Sequence, residues 1–103
     1  MIITTTSIIE GKPVQEYLGI INAQSIIGAN IFKDIFAGLR DVFGGRSKTY
    51  ERVLEEAKED ALRELTQKAQ AMGANGILAV DLDFETVGGS ILMVIATGTA
   101  VRI

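Results

Sequence analysis

The chain has 103 residues, enough for one domain with a single modest core. With 48% hydrophobic and 22% charged residues it is too apolar to stay disordered, and a net charge of −3 without a basic patch argues against a nucleic-acid partner. Cysteine, histidine and tryptophan are absent, which excludes disulfides and any thiolate or imidazole chemistry.

The N-terminal stretch "MIITTTSIIEGK" has no basic leader, and its apolar runs are short. It does not read as a signal peptide. No run approaches the ~20 apolar residues that a membrane helix requires. The expectation is a soluble, cytoplasmic protein without a membrane partner.

"IITTTSII" at 2–9 is rich in β-branched residues and reads as a strand. "EGKP" at 10–13 is a turn, and "VQEYLGIINA" at 14–23 is the returning strand of a hairpin. Gly19 marks a bulge or a close approach within it. From Asn30 the period changes. Ile31, Phe32, Ile35, Phe36, Leu39, Val42 and Phe43 recur at helical spacing, with Asn30 as N-cap and Gly44 and Gly45 as the stop. Gly38 inside this helix costs about 1 kcal/mol relative to Ala and marks a close contact.

Ser47 caps a second helix that runs to about Met72, with Gly73 just past its end. Its apolar stripe is Tyr50, Val53, Leu54, Ala57, Ala61, Leu65, Ala69 and Met72. Glu59 to Arg63 and Glu64 to Lys68 are favourable i,i+4 pairs on a solvated face. "NGILAVDLDFE" and "SILMVIATGTAVRI" follow as two strands joined by "TVGGS". The order is ββααββ. It predicts a single α+β domain over 1–103, with a mainly antiparallel sheet and helices on one face.

The last strand is apolar on both faces. Ile91, Met93, Ile95 and Val101 alternate with Leu92, Val94, Ala96 and Ala100. Two helices cover one face of a small sheet, so the second face requires another cover. A copy of the same chain is the simplest one. A helix of about 25 residues also spans roughly 37 Å, more than the roughly 34 Å diameter expected of a compact globule of this length.

Three blocks, "IIGANIFKDIFAGLRDVFGGRSKTYE" (26–51), "MGANGILAVDLDFETVG" (72–88) and "ILMVIATGTAV" (91–101), resemble the bacterial YbjQ family, described as "putative heavy-metal-binding". The resemblance covers essentially the whole chain. It implies a subunit fold similar to dodecin, assembled as a homopentameric ring. It implies no established activity.

In the segment "AVDLDFE", Asp81, Asp83 and Glu85 occupy alternate positions and share one strand face. They are the best metal-ligand candidates. Their oxygens suit Ca²⁺, Mg²⁺ or Mn²⁺, whereas heavy metals prefer sulfur and imidazole. Neighbours on one strand face lie about 7 Å apart, too far for two to chelate one ion without side-chain bending. Met72 and Met93 fall in apolar patterns, as core fillers. Catalysis has little to work with, since there is no His for proton transfer and no Cys nucleophile. A carboxylate-dependent enzyme is therefore the last-ranked reading. "GGRSKT" at 44–49 lacks P-loop spacing and reads as an interhelix turn and cap. A ring that binds or stores a small molecule is the alternative to metal binding. With Tyr17 and Tyr50 as the only phenols, no flavin-stacking site is evident. The expected partner is the chain itself, with a metal ion or small ligand, and no resident cofactor is called for beyond a divalent cation.

Overall fold

The computed structural model describes residues 1–28, 48–88 and 91–103. In this region one helix packs on a four-stranded mixed sheet. Strands β1 (Ile2–Ile3), β2 (Glu16–Ile27), β3 (Gly76–Val87) and β4 (Ile91–Arg102) lie in the order β1-β3-β4-β2. Helix α1 spans Lys48–Ala71. Strand β4 is central and antiparallel to both β2 and β3, and β1 is parallel to the start of β3.

The helix follows its apolar stripe. Ala57, Ala61, Leu65 and Ala69 are buried against the sheet, with Val53 and Leu54 packed beside them. Small residues dominate this stripe, so the helix lies close over β2 and β4. Its end is a Schellman motif. Gly73 has φ +85°. The Ala74 amide donates to the Ala69 carbonyl and the Gly73 amide to the Gln70 carbonyl, both at 3.0 Å. Only a residue without a Cβ enters this left-handed turn cheaply. On the outer face Lys68 pairs with Glu64 at 3.9 Å as expected. Arg63 instead binds Asp60 at 2.8 Å, not Glu59. Such exposed pairs are worth about 0–1 kcal/mol each.

The expected hairpin of 2–9 with 14–23 does not form. β1 is two residues long and joins β3, while β2 pairs with β4 along its whole length. Three consecutive threonines explain the break. The Thr6 amide donates to Thr4 Oγ1, the two hydroxyls share a 2.8 Å bond, and Thr6 Oγ1 donates to the Ile8 carbonyl. These local bonds compete with a strand ladder and turn the chain early. β2 also runs four residues beyond the expected end, to Ile27. Gly19 does sit at a bulge, with φ +136° and Met72 Cε 3.5 Å from where a Cβ would be. The helix expected over 30–43, its Gly38 contact, the Ser47 cap, the Tyr50 side chain and the "GGRSKT" turn lie outside the described residues or side chains. One of the two expected helices is thus observed, and the full ββααββ order is reduced to the elements above.

Gly98 sits opposite a bulge in β3. A Cβ there would stand 2.7 Å from Ile77 Cγ2 and 3.3 Å from both the Leu78 carbonyl oxygen and Val80 Cγ2. Ile77 is fully buried and has nowhere to go. Gly98→Ala is therefore expected to destabilise by about 1–3 kcal/mol through overpacking. Urea unfolding reads this directly, and an unchanged midpoint would contradict the packing described.

Candidate functional site

The acid row owes its position to that bulge. Leu78 pairs with Thr99 and Asp81 with Thr97, which leaves Ala79 and Val80 together opposite Gly98. Ala79 adopts φ 53°, a left-handed conformation uncommon for a residue with a Cβ. The extra residue reverses the alternation of the strand. Before it, Ile77 faces the helix. After it, Val80 and Leu82 face the helix, and Asp81, Asp83 and Glu85 turn to the opposite face. An unbroken strand would have sent the three carboxylates into the core. The amides at the bulge are not orphaned. Ala79 N donates to the Thr6 carbonyl at 2.9 Å and Val80 N to the Thr4 carbonyl at 3.0 Å. The early turn of the N-terminal segment thus supports the bulge.

The face away from the helix is laid out in cross-strand rows. Asp81, Thr97 and Asn22 form one, Asp83, Ile95 and Gln24 the next, and Glu85, Met93 and Ile26 the third. All three acids are exposed. Their row is strung along the strand at about 7 Å intervals, with uncharged β4 side chains beside it. Among the described residues the three have no ion-pair partner, and no three His, Cys, Asp or Glu side chains come close enough to share a metal ion. The sequence brings the three to one face, as expected, but one chain does not gather them around a point.

Beside the acids the same face is mixed, polar at Thr97, Asn22 and Gln24 and apolar elsewhere. Ile20 is 87% exposed and Ile26 62% exposed, and Met93 and Ile95 are half-buried between their lateral neighbours. Leu78 and Val101 are buried on this side, outside the helix-side cluster. The alternation of β4 is therefore real on both faces: the helix side is covered along its length, and the opposite face is buried at Leu78 and Val101 but open around Ile95, Met93 and Ile26. Two hollows among the described residues offer little more. Ile2, Thr4, Thr6, Ile8, Ile9 and Glu10 line an open groove of about 500 Å³, but its Thr4 and Thr6 hydroxyls already bond each other. A smaller hollow of about 140 Å³ lies between the end of β2 and α1. No helix among the described residues is long and apolar enough to cross a membrane.

The bulge was hidden in the sequence by "ILAV", four apolar residues in which either parity looks alike. The legible signal was Gly98, a glycine in the interior of a strand.

The comparisons agree with the whole-chain resemblance. A crystal structure of a protein of unknown function from Pediococcus pentosaceus ATCC 25745 shares the fold, with a TM-score of 0.69 and 22% identity, covering 100% of this chain and 97% of that one. A UPF0145 protein of Caulobacter vibrioides (strain NA1000 / CB15N) is 60% identical over 98% of both chains. A UPF0145 protein of Geobacillus kaustophilus (strain HTA426) is 52% identical over 100% of this chain and 98% of that protein. The model of the YbjQ family, described as "Putative heavy-metal-binding", matches residues 1–103, and the chain belongs to that family.

Proposed function

We propose that this chain is a non-enzymatic, homo-oligomeric binding protein, a homopentameric ring by resemblance, whose open sheet face becomes an interior surface of the assembly. The observation that carries this is the uncovered apolar patch where Ile26 is exposed beside Met93 and Ile95, with Ile20 exposed further along β2. Contiguous exposed apolar surface of this kind marks an interaction site.

The family description names heavy metals, and the donor set of this chain does not fit them. It has no thiolate and no imidazole. What it offers is a row of carboxylate oxygens. The cation that suits Asp81, Asp83 and Glu85 is hard, such as Ca²⁺, Mg²⁺ or Mn²⁺. A ligand that binds only the folded assembly stabilises it by mass action, about 2.7 kcal/mol at one hundred times its dissociation constant. Millimolar Ca²⁺ or Mg²⁺ is therefore expected to raise the melting temperature of the wild type above that in chelator. Asp83→Asn should lose most of the rise. Zn²⁺ or Cd²⁺ should show no stoichiometric submicromolar site by calorimetry. No divalent effect on the wild type, or a tight Zn²⁺ site, would overturn the hard-cation reading.

A further inference from the structure

We propose that copies of this chain join edge to edge, the outer edge of β2 in one copy pairing in parallel with residues 81–87 of β3 in the next. This rests on the oligomeric reading above and specifies how the copies meet.

Both edges are open among the described residues. β2 pairs only with β4. β3 pairs on its outer side with β1 at Gly76 and Ile77, and residues 4 and 6 serve its bulge, so from Asp81 onward that side has no described partner. Free edges are usually guarded by charge, proline or a bulge. The outer half of β2, "IINAQSII" at 20–27, has no charge and no proline, and its bulge lies before it. One guard is present. Lys68 Nζ donates to the Asn22 carbonyl at 2.8 Å, so pairing draws on the groups to either side.

The helix side points to which edges meet. Because α1 lies over β2 and β4, it leaves the outer flank of β3 thinly covered. Leu82 is only partly buried and Phe84, which also faces this side, is 50% exposed. A neighbour's β2 laid beside β3 brings its own α1 over that flank. Pairing β3 with β3 would instead set two acid rows side by side, which like charges oppose. Pairing β2 with β2 would leave Phe84 uncovered. In the β2–β3 arrangement the amides of Asn22 and Gln24 stand on the same face as Asp81, Asp83 and Glu85, donors beside acceptors. The direction follows from the sheet. β2 and β3 are each antiparallel to β4, hence parallel to each other. A rotation that keeps strand direction makes a heterologous contact, and such contacts give a ring when the rotation divides a full turn.

The native chain has no cysteine, so introduced thiols report without background. Gln24→Cys is co-expressed with Asp81→Cys, Asp83→Cys or Glu85→Cys in turn, which samples three staggers, and each mixture is oxidised. Within one copy these positions are two strands apart, about 10 Å, beyond the roughly 7 Å that a disulfide spans. Any bond is therefore between copies. The expected result is a mixed covalent dimer in at least one mixture, none from Gln24→Cys alone, and none with Glu59→Cys on the exposed face of α1. Combining the successful pair in one chain should give a ladder whose top band counts the copies. Self-dimers of Gln24→Cys would overturn the proposal in favour of β2–β2 pairing. An oligomeric mass by light scattering without any mixed dimer would overturn the edge arrangement and leave the oligomer standing. A monomeric mass would overturn both.

Discussion

Leu65→Ala is expected to destabilise the protein by about 2–5 kcal/mol, the range for emptying a closely packed leucine site. Leu65 is fully buried in the C-terminal half of α1. The residues one turn to either side on its stripe are Ala61 and Ala69, and the strand residues of the same cluster include Ala23, Ala96 and Ala100. None of these has a long side chain that could swing into the hole. The loss is large against the roughly 5–15 kcal/mol total stability of a domain. At about 4–8 °C per kcal/mol for a chain of this size, the melting temperature should fall by more than about 8 °C. Gln67→Ala, on the exposed face of the same helix, is the control and should stay within about 0.5 kcal/mol. Both are measured at one protein concentration, since association adds to apparent stability. A Leu65→Ala midpoint within error of the control would mean that α1 does not pack on the sheet as described.

Ile95→Glu is expected to dissociate the assembly and leave the subunit folded. Ile95 is half-buried at the centre of the open face, between Gln24 and Asp83. Its side chain is on the opposite face from the helix-side core, so the single chain loses little packing. In an assembly that encloses this face the substitution places a fourth carboxylate beside Asp83 and removes apolar contact, and an unpaired charge in a desolvated surface costs several kcal/mol. Gel filtration should move the variant to a smaller species, while far-ultraviolet circular dichroism stays that of the wild type. An unchanged elution position would show that the open face lies outside the contact between copies. A lost dichroism signal would point to a role in the fold instead, and Ile95→Thr then serves as the milder variant.

The sequence made the described helix, the existence of all three long strands and the chemistry of the open face readable from local pattern. Leu65 and its flanking alanines repeat at helical spacing. Asp81, Asp83 and Glu85 alternate with Leu82 and Phe84. Gly73 stops the helix in the conformation that glycine alone adopts cheaply. The N-terminal hairpin was misread because β-branched threonines have strand propensity, whereas the hydroxyls of Thr4 and Thr6 bond locally and end the strand after Ile3. Propensity weighs the side chain against a sheet and takes no account of competing bonds along the chain. The pairing of β2 with β4 is a long-range choice that local patterning does not encode. The bulge at Ala79 escaped for a different reason, because a shift of parity leaves no trace in a run of four apolar residues. The acid row was placed on one face correctly, but the feature that turns that face away from the core lies in Gly98, on the neighbouring strand.

The most direct measurement of the central claim is the mass of the wild-type protein by light scattering after gel filtration at micromolar concentration. An assembly that covers the open face predicts a particle several times the 11.1 kDa chain, and five times for the ring that the resemblance implies. A stable species of 11.1 kDa, with Ile20 and Ile26 in water, would contradict it.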